Sequence, residues 1–333
     1  MKTQSCNVVF LTFVILSGSV FAFAQTSREK GIALFDQEKD QDAIIEFKAA
    51  LKVEKNDPQL LNYLGLAYLN LGKYKDAQKA LQKAVNVNPQ SSTFRTNLAH
   101  VYLLTRKVNK SQSELAKAIQ LDPNNAKAYY IRGTSYLWER KYDAAIADAE
   151  IAIKLDQDFS EAYILKSDGL LYSFGKKWEA DNEPIKSLYL LENAVNELNN
   201  CAGNCLGAKI SEIIKDRKET VQAFLDYFAR QKAANENSDD SGLSERTPLT
   251  ILSKPAPSYT DRARQNNENG KVTLAVLFGA DAQIKFIIVL EGLNFGLTEQ
   301  AIAAARRITF EPAKEGGKPV STVKRIQYGF SVY

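Results

Sequence analysis

Small and large apolar positions return every 34 residues from residue 25 to about residue 157. Gly31, Gly65, Ala99 and Gly133 form one such series, Leu34, Tyr68, Tyr102 and Tyr136 a second, and Ala50, Ala84, Ala118 and Ala152 a third. Pro89 and Pro123 keep the same step. Small residues recur where two helices must approach closely, and larger ones recur where they fill the gap. Gly65 and Ala77 mark such a crossing in the second unit, where a leucine would overpack at a cost of roughly 1 to 3 kcal/mol. Each proline ends a second helix just before the next unit begins. A unit of this kind buries its apolar face only against its neighbours, so the pattern predicts an α-solenoid with no single closed core.

The pattern decays beyond residue 157. Gln157 replaces the expected proline, Tyr163 keeps the aromatic, and Lys166 and Ser167 replace the Leu-Gly pair of the second unit. Helical spacing returns with Leu188, Leu190, Leu191, Ala194 and Leu198, and again over residues 208–231. Residues 159–232 therefore read as a divergent repeat with capping helices. Residues 233–248 are polar and poor in apolar side chains, the composition of a flexible linker.

The period then changes from helical to alternating. Residues 272–278 and 284–290 are β-branched and aromatic runs around a Gly/Asp turn at 279–283, a hairpin signal. Leu297, Ala301, Ala305 and Ile308 share a helical face. Residues 322–332 alternate, with Ile326, Tyr328, Phe330 and Val332 on one side and Arg325, Gln327 and Ser331 on the other. The hairpin strands are apolar on nearly both faces, so the alternating last strand is expected at the half-solvated edge. The fold class is mainly α with a C-terminal α+β domain of ββαβ order over residues 249–333.

The second 34-residue unit, with Leu61, Leu64, Gly65, Tyr68, Ala77, Leu81, Ala84 and Pro89, resembles the tetratricopeptide repeat, or TPR, so residues 25–158 are expected to form a TPR solenoid. The resemblance implies a concave groove for extended peptides, lined from the first helix of each unit. By that correspondence the groove takes Gln59, Asn62, Leu66, Leu69 and Asn70, then Thr96, His100, Leu103 and Leu104, then Tyr130, Thr134, Leu137 and Trp138. This set departs from the basic carboxylate clamp of chaperone-binding members, and Trp138 and Leu104 are equally open to packing on the next helix.

The C-terminal run is similar to the TonB C-terminal domain over about its last 80 residues. Pro257 and Tyr259, Gly270 and Val272, Leu297 and Ala301, Ala305 and Arg306, Phe310 and Pro312, and Gly317, Pro319 and Val320 carry the likeness. The resemblance implies capture of an extended segment, such as that of a TonB-dependent outer-membrane transporter, by strand addition. The strand offering its edge is expected to present Val323, Arg325, Ile326, Gln327, Tyr328 and Phe330; the same edge admits a homodimer.

Composition narrows the function further. Lys2, an apolar run over residues 8–16 and the small-residue pattern at Ala22 and Ala24 have the order of a cleavable secretory signal over residues 1–24. Export to the periplasm is expected, with an inner-membrane anchor as the alternative. The formal net charge is +4, falling to +3 without Lys2, and no Lys/Arg run is interleaved with aromatics, so nucleic acid is not expected. Cys201 and Cys205 remain after cleavage and either close a small loop or stay as thiols. The chain holds one histidine, His100, and no glycine-rich phosphate loop or metal-spaced ligand set, which argues against an enzyme, a cofactor and a metal. The carboxylates are expected on solvated helix faces. TonB-like energy transducers carry a histidine-bearing membrane helix and a long proline-rich spacer, both missing here, so an adaptor between envelope proteins is the better expectation.

Overall fold

In a computed structural model the protein is described over residues 25–181, 187–202, 208–236 and 246–331. The secretory signal, Cys205, residues 237–245 of the expected linker and Val332 lie outside the described residues. The described residues divide into two compact units, one ending at Glu139 and the other beginning at Arg140.

The first unit is a succession of helix pairs. Helix α1 covers residues 25–36, followed by α2 Asp40–Val53, α3 Pro58–Asn70, α4 Tyr74–Val87, α5 Ser92–Leu104, α6 Val108–Leu121 and α7 Ala126–Trp138. The 34-residue step also governs the helix ends. Asp57, Ser91 and Asn125 each accept a backbone N–H two or three residues into the helix that follows, satisfying a group that has no partner within the helix. The turn inside each pair needs a left-handed residue, supplied by Glu38, Gly72, Arg106 and Arg140 with φ of 58°, 68°, 60° and 60°. Gly72 alone of the four lacks a Cβ and adopts this conformation without a steric penalty.

The helix crossings follow the expected size rule. A Cβ on Gly65 would lie 2.5 Å from Leu81 Cγ, and one on Gly31 would lie 2.7 Å from the Phe47 ring. Ala50, Ala77, Ala84 and Ala118 are fully buried, and successive small cores run along the array.

The second unit combines helices and sheet. Helices α8 Tyr142–Leu155, α9 Ser160–Asp181, α10 Leu188–Ala202 and α11 Ala208–Glu236 precede β1 Arg246–Thr247 and β2 Thr250–Ser253. Then come α12 Asp261–Gln265, β3 Gly270–Phe278, β4 Ile284–Glu291 and α13 Leu297–Ala305. Strands β5 Thr309–Glu311, β6 Ala313–Glu315, β7 Lys318–Val320 and β8 Thr322–Phe330 finish the chain. The main sheet has the order β4-β3-β8, antiparallel throughout. The hairpin and the last strand thus stand where the alternation places them. Short strands β1 and β2 pair with β6 and β5.

Both faces of the hairpin are buried, and by different partners. Val272, Leu274, Val276 and Phe278 join Leu297, Ala301 and Ala305 of α13. Ala275, Leu277, Ile288, Leu290 and Val323 share a core with Leu171, Phe174 and Trp178 of α9 and Phe224 and Phe228 of α11. Gly175 makes the closest approach, since a Cβ there would lie 2.2 Å from Ile288 Cγ2. The sheet is therefore packed directly on the capping helices. Both ends of the expected linker belong to regular elements: residues 233–236 complete α11, and Arg246 and Thr247 pair with Glu315 and Lys314.

Not every carboxylate lies on a solvated face. Asp168 of α9 is largely buried beside Arg217 of α11, with 2.9 Å between Oδ1 and Nε. Burial raises its pKa to about 6 against the opposing pull of Arg217. Lys166, the residue that breaks the Leu-Gly pair, is held by Glu197 at 2.8 Å and Glu150 at 3.2 Å.

Candidate protein-interaction sites

The first site is a concavity of about 590 Å³ in the first unit. Its walls are the leading halves of α3, α5 and α7, whose N-caps hold the helix starts side by side. Gln59, Asn62, Tyr63 and Leu66 come from α3, Thr93, Phe94, Thr96 and Asn97 from α5, and Asn125 and Lys127 from the start of α7. The amides are already organised. Asn97 Nδ2 donates to Asn62 Oδ1 at 2.8 Å, and Lys127 Nζ donates to Asn97 Oδ1 at 3.1 Å. Asn125 Nδ2 donates to Thr96 Oγ1 at 3.1 Å and to Ser92 Oγ at 2.8 Å. Such a surface offers amide donors and acceptors to a peptide backbone over an aromatic floor.

Of the expected groove residues, Asn62, Leu66 and Thr96 line this concavity, together with Gln59. The others stand elsewhere in the unit. Asn70 Nδ2 donates to Asp40 Oδ1 at 3.0 Å, joining two repeats. Thr134 Oγ1 donates back to the Tyr130 carbonyl at 2.9 Å. Trp138 is 38% exposed, and the Arg106 guanidinium stacks 4.3 Å from its ring centroid. Burial first, then the Lys127 charge, lowers the pKa of His100 to about 4, so it is neutral at pH 7. Sequence spacing missed Tyr63, Phe94, Asn97 and Lys127. The cap residues Asp57, Ser91 and Asn125 keep the 34-residue step, a signal that points to Asn125.

The second site is the outer edge of β8. Val323 faces the α9 and α11 core, whereas Ile326, Tyr328 and Phe330 face the α13 core. None of these four buried residues offers a side chain to the edge. Arg325 lies with its guanidinium 5.3 Å from the Trp178 ring centroid, and Gln327 is exposed. Two carbonyls show which way the backbone points: that of Gln327 accepts Lys254 Nζ at 2.8 Å, and that of Ser321 accepts Arg230 at 2.8 Å. In an antiparallel strand N–H and C=O of one residue share a side, so positions 323, 325, 327 and 329 turn theirs away from β3. No strand among the described residues pairs with that side. A groove of about 380 Å³ opens at its start, bounded by α11, β1, β6 and residues 322–324.

Cys201 of α10 is fully buried and disulfide-bonded, with Cys205 outside the described residues. No cluster of three metal-ligating side chains occurs among the described residues, and no helix there is long and apolar enough to cross a membrane.

Residues 255–331 match the family model for the Gram-negative bacterial TonB protein C-terminal domain, and residues 58–91 and 96–158 match models of the tetratricopeptide repeat. The chain is a TPR protein with a TonB-type C-terminal domain. Both are interaction modules. No curated protein matches the chain. Among solved structures, a thermophilic TPR protein of Thermus thermophilus is 20% identical, with a TM-score of 0.49 over 60% of this chain and 98% of that one. MamA from Desulfovibrio magneticus is 19% identical, with a TM-score of 0.43 over 53% of this chain and 94% of its own.

Proposed function

We propose that this TPR protein is a periplasmic adaptor between two envelope proteins. The amide-lined concavity of the repeats holds an extended segment of one, and the edge of β8 takes a strand of the other, such as the extended segment of a TonB-dependent outer-membrane transporter. The leader pattern of residues 1–24 and the Gram-negative character of the C-terminal family support the location. The observation that carries the reading is the outward backbone row of β8, which no strand among the described residues pairs. Such an edge is a template on which main-chain hydrogen bonds supply affinity and alternate side chains supply selectivity.

Amide hydrogen exchange tests it, using residues 25–333 with and without a synthetic peptide copying a transporter segment from the same cell. Binding should protect the amides of Arg325, Gln327 and Gly329 and leave those of Lys324 and Ile326, already bonded to β3, unchanged. Gln327→Pro should remove the protection with the sheet intact, because proline at an outward position deletes only an unused donor. Lys324→Pro, on the inward row, should disrupt the sheet. Protection confined to helix faces would rule out strand addition.

A further inference from the structure

We infer that the groove beside residues 322–324 selects an acidic extended segment in the strand-adding partner. The inference rests on strand addition at β8 and deepens it. Four cations line the groove, Arg230 from α11, Arg246 from β1, Lys314 from β6 and Lys324 from β8, against one acid, Glu315. Glu315 lies 3.3 Å from Arg246 and 3.9 Å from Arg230, so it offsets one positive charge and leaves about three.

Edge lysines alone are a common defence against unwanted pairing. The arginines do not fit that role. Arg230 belongs to a helix rather than to the edge, and its donation to the Ser321 carbonyl holds the guanidinium beside the start of β8. Val323, one of the outward backbone positions, is itself a wall of the groove. A strand added to that row must therefore run its end into the cationic cleft. A carboxylate there meets guanidinium forks suited to bidentate pairing, whereas a lysine meets repulsion.

Fluorescence anisotropy of residues 25–333 with three labelled peptides tests this. All share one alternating Val/Thr core and are flanked at both ends by Asp/Glu, by Asn/Gln or by Lys/Arg. The acidic peptide should bind about 10-fold tighter than the neutral one at low salt, with the gap closing as salt rises. Lys324→Glu and Arg246→Glu, both at exposed side chains, should each reduce or reverse the preference with the circular dichroism unchanged; Lys324→Gln gives a milder variant should either fail to fold. Equal binding of acidic and neutral peptides, still abolished by Gln327→Pro, overturns the charge selection and leaves strand addition standing. An acidic preference that survives Gln327→Pro or both charge reversals places the binding elsewhere and overturns the inference. Binding by none of the three overturns it together with strand addition.

Discussion

His100 is the single histidine of the chain, and its surroundings give it a definite pH signature. Its folded pKa of about 4 lies below the ordinary 6.5, so the unfolded chain binds the proton more tightly. The stability it contributes is complete above pH 6.5 and is lost as pH falls toward 4. Urea unfolding followed across this window should show a decline that His100→Gln flattens; an identical slope in the variant would remove His100 as the cause. Gly72 tests backbone strain in isolation. It has φ +68° and nothing within 4 Å of an added Cβ, so Gly72→Ala carries left-handed strain without a clash. The expected loss is about 1 kcal/mol by denaturant midpoint. No loss would mean that the turn can relax, as Arg106 and Arg140 show the conformation to be reachable by larger residues.

At the scale of elements, the contact between α9 and β4 decides how the sheet is held. Gly175→Ala improves helix propensity by up to about 1 kcal/mol, yet its Cβ must displace Ile288. The packing term should win, with a net destabilisation of about 1 to 3 kcal/mol. Ile288→Ala removes Cγ2, the atom in that contact, so a double-mutant cycle should show coupling of the two changes. Simple additivity would show that the strain at residue 175 is relieved elsewhere than at Ile288. A second element-level device is Lys254, whose ammonium rests on the Gln327 carbonyl and lies 4.8 Å from the Tyr328 ring centroid. It covers one outward carbonyl of the edge with a charge that an incoming strand must displace.

At the scale of the molecule, the C-terminal sheet and helices α9 to α11 share one apolar core, with Phe174, Phe224 and Phe228 on the helical side and Leu277 and Ile288 on the sheet. They should unfold together. Hydrogen exchange under increasing urea should expose the amides of α9, α11 and β3 in one transition, and removal of residues 246–333 should destabilise the helices, because Leu171 and Phe174 would lose their cover. Independent melting of sheet and helices would instead describe two modules joined only by chain. The groove beside β8 depends on the same arrangement, since Tyr227, Arg230 and Gln231 of α11 form one of its walls.

The sequence alone determined the main helices, the hairpin and the last strand in their order, but not the short strands β1, β2 and β5 to β7, which carry too few residues for a period to show. A 34-residue step gave the helix pairs, their crossings at Gly31 and Gly65 and their ends at Pro89 and Pro123, because each depends on neighbours within one unit. Alternation gave β8 its inner row of Ile326, Tyr328 and Phe330. Apolarity on both faces of β3 announced two covers, one of which, α13, was legible as the helix that follows the hairpin. That α9 and α11 form the other was decided by tertiary structure, since Gly175 and Ile288 are distant in sequence and periodicity reports only whether a position is buried. The same limit hid the Asn62, Asn97 and Lys127 network and the cationic groove. Their members come from separate elements, each with an ordinary polar position in its own helix or strand, and only packing brings their charges and amides within reach of one another.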